Sequence, residues 1–403
     1  MNQSERHCIV LTYGWGLGTP GGVARHLQEL ARHLGQAGAR VICVCVSAAD
    51  YSGFPRPRLA PQHEGLEVER ELAEFGVEVV RVAPHPLHWT LDGRPVRRAV
   101  AAILDRERVD CVLGFYNEAA YLPDLCERRG VSFGYIATWL SYRMALAPER
   151  SGKGLRGMLL RRANRRFVID PYRRAQILFA NSEFTRNELV DVIGCSPSRI
   201  SVTYLGVKPF FHTIPRIEPK RIQRLVFFGR LVREKGIGDA IEALGAIGRS
   251  GQRDWTLRVL GSGDHEHVRR LARKQGIESL VELCPHQGDE GLTHELAHAH
   301  LAVLPSHSES FGLSIAEAQA AGLPVVAYAA GSVPEVVENG ETAWLAPTGD
   351  VPALRAALEE ALADPQEAHR RGIAGRERVG RLFRWDRTAE RVLDGIRALR
   401  RAA

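Results

Sequence analysis

The 403-residue chain has no apolar run approaching the ~20 residues that a membrane span requires. Its first segment, MNQSERHCIVLTYGWG, holds only a three-residue apolar run, Ile9 to Leu11, which is too short for a secretory signal. The seven cysteines form no CxxC pair, which removes the usual zinc-ribbon and dithiol motifs. Their number is odd, and several stand inside apolar strands such as VICVCV, where a free thiol behaves as a small hydrophobe. This usage implies a reduced, cytoplasmic protein. No internal repeat and no low-complexity tract is present, so solenoid and disordered classes are excluded.

What is present is an ordinary globular composition, 45% hydrophobic and 25% charged, with net charge +7. Its length suits two or three domains. Basic charge is concentrated in residues 149–175, with nine Arg or Lys against two acids. A solvated helix face explains such a run; so does a surface for anionic lipid or a phosphorylated acceptor. The second reading makes 150–174 a peripheral contact with the inner face of a membrane. Nucleic acid is disfavoured, because aromatics that stack on bases are not interleaved.

Short apolar strands alternate with amphipathic helices. Strands are expected at 8–12, 41–46, 77–82, 111–115, 133–137, 177–180, 200–204, 225–229, 257–261, 281–284, 301–305 and 325–328. Val23, Leu27, Leu30, Ala31 and Leu34 share one helical face. Val- and Ile-rich strands separated by helices predict parallel sheets covered on both sides. Twelve such strands are many for one sheet. The segment 208–224, with three prolines, reads as a linker between two doubly wound halves. Residues 47–76 and 83–98, rich in Pro, His and Arg, are expected to be irregular. Two such halves bind ligands at the carboxyl ends of their strands.

Several stretches there carry candidate chemistry. In FFGRLVREKGI (227–237), Arg230 and Lys235 follow a strand, and two cations at a strand's end suit a diphosphate; solvated surface cations are the alternative. In GTPGGVARH (18–26), Gly21 and Gly22 permit close backbone approach at a helix start, or only a tight turn. GSGD (261–264) is a weaker case of the same kind. In ESFGLSIAEAQAAGLPVVA (309–327), Glu309 and Glu317 flank Phe311, Gly312 and Leu313. Ser314 to Glu317 fits a capping box, which would reserve Glu317 for the helix. Otherwise the amides of Phe311 to Leu313 meet a phosphate, and the carboxylates accept from sugar hydroxyls. HELAH (294–298) matches a zinc-protease pattern, but it sits in a helix of the repeating α/β unit, where false positives are common.

Together these stretches resemble the retaining glycosyltransferases of family GT4, with their two-domain GT-B fold. The Glu309/Glu317 pair, GLPVVA (322–327), GSVPEVVENGETAWL (331–345), GRLVREKG (229–236), NSEFTRNEL (181–189) and the GGV turn (21–23) carry the likeness, densely over 177–348 and thinly before. The resemblance implies two facing Rossmann-like domains: an acceptor domain over 1–207 and a nucleotide-sugar domain over 208–384. A last helix, within 385–403, would cross back to the first domain. It implies that Arg230 and Lys235 hold the donor diphosphate and, with Glu309, are the catalytic residues. Glu317 would bind the ribose, Glu309 the donor-sugar hydroxyls, and the amides of Phe311, Gly312 and Leu313 the phosphate and sugar. Gly22 would approach the donor phosphate or the acceptor, and His286, in VELCPHQ, lies where the family reads the base. Pro285 stands at that turn's usual glycine, which leaves the base open. The implied reaction is retaining transfer from a nucleoside-diphosphate sugar to a glycan, lipid-linked or small acceptor. No cofactor or metal would be needed, in keeping with the absence of any D-x-D.

One departure stands out. Where the family has a histidine after the strand FGYIA, this chain has Trp139. An indole N–H only donates, so Trp139 suits a donor lacking a C6 hydroxyl, or else is core. The same departure keeps open a catalytically silent sugar-nucleotide-binding protein; a nucleotide-sugar 2-epimerase is a second alternative, which shares the GT-B fold but not the Glu309/Glu317 context.

Overall fold

The computed structural model describes residues 7–14, 17, 21–46, 62–85, 91–138, 162, 165–284 and 288–402. Trp139, Pro285, His286 and much of the basic segment 150–174 lie outside these residues. The chain divides into two compact units, Met1–Leu205 with Trp385–Ala403, and Gly206–Arg384.

The first unit is built on seven parallel strands: β1 (Cys8–Tyr13), β2 (Arg40–Val46), β3 (Val77–Val82), β4 (Cys111–Gly114), β5 (Ser132–Ala137), β6 (Ile177–Ala180) and β7 (Ile200–Val202). Their order is β3-β2-β1-β4-β5-β6-β7. Alternate side chains of β1 serve two cores: Ile9, Leu11 and Tyr13 pack on one face, Cys8 and Val10 on the other. The helix Gly22–Gln36 covers the first of these faces with Leu27, Leu30, Ala31 and Leu34, all buried. Trp385–Ala402 completes the same face with Ala389, Val392, Leu393 and Ile396. Gly395 lies so close to Phe179 that a Cβ there would sit 2.8 Å from its ring. Burying each of these large aliphatic side chains contributes roughly 1.5–3 kcal/mol, so the helix is an integral layer of the unit.

The second unit has six parallel strands: β8 (Arg224–Phe228), β9 (Thr256–Leu260), β10 (Val281–Cys284), β11 (Leu301–Leu304), β12 (Val325–Tyr328) and β13 (Ala343–Ala346). Their order is β10-β9-β8-β11-β12-β13. In each unit the strand order reverses beside the first strand, between β1 and β4 and between β8 and β11. That reversal opens the crevice in which doubly wound sheets bind ligands.

Three expectations are corrected. Residues 47–76 and 83–98 are not irregular throughout: Gln62–Glu74 and Gly93–Arg106 are helices. Val68 and Leu72 make the contact face of the first, at a spacing that the neighbouring prolines and histidines obscured. The strand β13 was missed, because AWLA is too short to show a period. The segment 208–224 is seated on the second unit instead of forming a free linker. Phe211, Ile214 and Ile222 are buried. Arg216 donates to the carbonyls of Leu296, Ala299 and Ala321, the last turns of two helices, where a cation is favoured.

Candidate active site

Lys235 and Glu309 come together at the switch point of the second unit. Lys235 closes a short turn, Arg233–Lys235, and Gly236 then caps the helix Ile237–Arg249 with φ +72°. A Cβ at Gly236 would stand 1.8 Å from the carbonyl oxygen of Pro305, so only glycine lets the turn lie against the segment after β11. Four residues beyond Pro305, Glu309 accepts from the Lys235 ammonium at 2.6 Å. Both side chains are largely buried, at 23% and 10% exposure, and their opposite charges offset each other. Glu309 is fixed from behind: its carbonyl accepts from the Ser332 N–H at 3.2 Å, and Gly331, φ +59°, packs directly on it.

Arg230 is exposed and forms no ion pair among the described residues. It follows Gly229, whose carbonyl would lie 1.8 Å from a Cβ on Gly261. Leu231 N–H bonds Ser262 C=O at 2.9 Å. The GSGD loop is therefore a backbone-to-backbone partner of the Arg230 loop, and its glycines are required. Its short sequence gives little sign of that partnership.

Helix Leu313–Ala320 begins at Gly312, φ +92°, with no side-chain cap. Its first N–H groups have no intrahelical partners by construction, and its positive end is suited to an anion. Phe311 is not an exposed residue: it is buried edge-on against Phe383 at 5.2 Å. The capping box is absent, because Gly312 occupies the cap position and Glu317 falls in the second turn, 4% exposed. Glu317 is thus not reserved for the helix end. Gly322 ends the helix as expected, with φ +70° and its N–H on Gln319 C=O at 2.7 Å.

HELAH is helical, but Glu295 is buried and held by both ends of the Arg258 guanidinium, 2.9 Å on one side. These bonds hold its carboxyl below the usual range. His298 Nδ1 lies 2.8 Å from the carbonyl of His294. A carboxylate so engaged is a structural ion pair and not a general base.

In the first unit, Gly22 opens the helix Gly22–Gln36 behind Gly21, which has φ +137° and no side-chain cap. Sequence reasoning missed Glu118 there. It is 2% exposed, and its Oε1 accepts from Thr12 Oγ1 at 3.1 Å and from the N–H groups of Phe115 and Tyr116 at 3.4 and 3.2 Å. Oε2 is buried against Gly14 and has no hydrogen-bond partner among the described residues. Burial pushes this carboxyl up to about 7, against the pull of its hydrogen bonds. The signal was present as an acid after a buried strand, but nothing in its neighbours marked it.

The fold, two doubly wound parallel sheets, is that of the GT-B glycosyltransferases. A profile of "Glycosyl transferases group 1" matches residues 213–378, and one of "Glycosyltransferase Family 4" matches 20–209. The chain belongs to this glycosyltransferase family. It is 29% identical to the glycogen synthase of Mycobacterium tuberculosis (strain ATCC 25618 / H37Rv) over 392 residues, 92% of this chain and 89% of that one. It is 32% identical to a D-inositol 3-phosphate glycosyltransferase of Nocardioides sp. over 254 residues, 56% of this chain and 54% of that one. In fold it is similar to sucrose-phosphate synthase from Thermosynechococcus elongatus, with TM-score 0.76, 21% identity and coverage of 99% and 100%. The Anabaena protein HepE, solved with UDP-glucose, gives TM-score 0.74 at 17% identity, covering 97% of this chain and 99% of that one. No helix among the described residues is long and apolar enough to cross a membrane.

Proposed function

We propose that this glycosyltransferase takes its sugar from a nucleoside-diphosphate donor held by the second unit, and transfers it with retention and without a metal. The observation that carries the reading is the Lys235–Glu309 pair beside exposed Arg230 at the switch point. An incoming diphosphate draws Lys235 to itself, with Arg230 as a second clamp. Glu309 is then released to accept from hydroxyls of the donor sugar. The positive end of helix Leu313–Ala320 faces the developing phosphate charge, and buried Glu317 receives the ribose. UDP and UDP-glucose, the ligands of the HepE structures, are of this chemical class.

The bond from the anomeric carbon to the leaving phosphate lengthens first, giving an oxocarbenium-like centre. The acceptor oxygen attacks the same face, and its proton passes to the departing phosphate oxygen. Two cations and a helix N-terminus stabilise the charge that builds on the diphosphate. Glycans, lipid-linked sugars and small polyols are the acceptor class; glycogen synthase and the inositol-phosphate enzyme are named for substrates of that kind.

A panel of UDP-, GDP- and ADP-sugars tests the reading, by thermal shift and then by turnover. A donor at 100 times its dissociation constant stabilises by about 2.7 kcal/mol. The expected product keeps the donor's anomeric configuration by NMR, and EDTA leaves the rate unchanged. Absence of binding by every donor overturns the donor assignment. An inverted product overturns retention, and loss of activity in EDTA that Mg²⁺ restores overturns the metal-free mechanism.

A further inference from the structure

Behind the Lys235–Glu309 pair lies a second polar cluster with no role in the donor reading. Asp239 stands in the first turn of helix Ile237–Arg249, four residues after Lys235. An acid there ordinarily serves the helix's own amides and dipole. Here Oδ2 faces two other elements. It accepts from the Tyr328 hydroxyl at 2.8 Å and lies 3.1 Å from His307 Nε2. Tyr328 is the buried last residue of β12; burial, and then the bond to Asp239, push its hydroxyl up and keep it a donor.

His307 belongs to the segment that carries Glu309, two residues before it. Its backbone N–H donates to the carbonyl of Glu234 at 2.8 Å, and its ring meets Tyr328 edge-on at 5.5 Å. The turn 233–236, with the first turn of the helix after it, is therefore joined to the segment 305–309 at three points. These are the close approach of Gly236 to Pro305, the His307–Glu234 backbone bond, and the His307–Asp239 pair. The Lys235–Glu309 bond is a fourth, and it is the one a diphosphate must break.

We propose that Asp239 is a positioning residue: by engaging His307 and Tyr328 together, it keeps the Lys235 turn and the Glu309 segment in register while the ligand parts their side chains. This inference rests on the assignment of the diphosphate to Lys235. Asp239 acts through Lys235, so its effect on binding requires Lys235 to be present. A residue that merely supports the fold affects stability whether or not Lys235 is there.

A double-mutant cycle separates the two. The full chain is titrated calorimetrically with UDP, GDP and ADP, and the tightest of these is used for Asp239→Asn, Lys235→Ala and the double variant. Asp239→Asn is expected to weaken binding about tenfold in the native background and less than about twofold with Lys235→Ala, while its shift in Tm is the same in both. Equal weakening in both backgrounds, or none in either, overturns the proposal. Unchanged affinity in Lys235→Ala, or no nucleotide bound by the native chain, overturns the donor reading and this inference with it. If Asp239→Asn does not fold, Tyr328→Phe carries the same cycle, since it removes only one hydroxyl. About threefold weakening that vanishes with Lys235→Ala is then expected, and persistence of the effect overturns the proposal.

Discussion

The two switch points occupy the same topological place and differ in charge. In the second unit the crevice between β8 and β11 has an exposed Arg230, a Lys235–Glu309 pair, and loops pressed together through Gly229, Gly236 and Gly261. In the first unit the place between β1 and β4 is occupied by Glu118, with Thr12, two amides and the rings of Tyr13, Tyr116 and Tyr135 around it. Among the described residues no cation helps to hold Glu118's charge. Among the described residues, one crevice thus holds two cations beside a carboxylate, and the other a buried carboxyl among neutral polar groups. The same sheet geometry accommodates both, because the loop after each strand, and not the strand itself, fixes the chemistry.

The largest expected break in this comparison comes from glycine. Gly261→Ala drives a Cβ into the Gly229 carbonyl and forces φ +152° on a side chain, so a loss of roughly 3 kcal/mol or more is expected in urea unfolding. Gly14→Ala in the first unit meets only the Glu118 carboxyl oxygen at 2.9 Å, and about 1 kcal/mol is expected. Equal losses would remove the contrast between the loops.

Next in size is the pH dependence of the first unit. Glu118 is raised from 4.5 to about 7 in the folded chain, so the folded state holds its proton more tightly than the unfolded one. Its contribution to stability is full below about pH 4.5 and is lost as pH rises through about 7. The shift corresponds to about 3 kcal/mol at most. Glu118→Gln should therefore gain on the native chain between pH 5 and pH 8, as measured by Tm at each pH. A constant difference across that range would show that Glu118 does not titrate there.

The charged crevice is sharpened by Arg230→Ala and Lys235→Ala. Each removes a cation from the proposed clamp, worth about 1.5–3 kcal/mol, so nucleoside-diphosphate affinity should fall about tenfold or more; Tm should be little changed in Arg230→Ala and lowered in Lys235→Ala, which leaves the buried Glu309 carboxylate without its cation. Full retention of affinity in both would detach the diphosphate from this crevice. The smallest effect is expected from Glu317→Gln, which keeps size and burial but removes the charge. A donor KM raised several-fold, about 1 kcal/mol, at near-native Tm is expected. A large loss of Tm at unchanged KM would assign Glu317 to the core instead.

The architecture was legible because alternation of buried strand and amphipathic helix is a local signal. β1, β2 and β6 lie where CIV, VIC and ILF crowd apolar residues together. The glycines and cations of 229–236 were legible for a similar reason: they punctuate a strand's end. Helix Gln62–Glu74 was not, since its contact face rests on Val68 and Leu72 amid charged residues. The capping box at Ser314 misled, because a glycine at positive φ had already begun the helix two residues earlier. Asp239, His307 and Tyr328 could not be joined from sequence: they lie on three elements, and only the parallel sheet brings their tips together. Glu118 was hidden by burial, which no spacing reports.

The helix Trp385–Ala402 has a consequence for how the chain is made. It completes the core of the first unit, yet it is synthesised only after the whole of the second. While Gly206–Arg384 emerges from the ribosome, the surface of helix Gly22–Gln36 and β6 that receives Ala389, Val392 and Ile396 has no cover. The second unit, later in sequence, has all its layers first and can close before its predecessor. Order of synthesis and order of completion are therefore reversed in this protein. The interval between them is the period in which the first unit presents this apolar surface to chaperones and to other nascent chains.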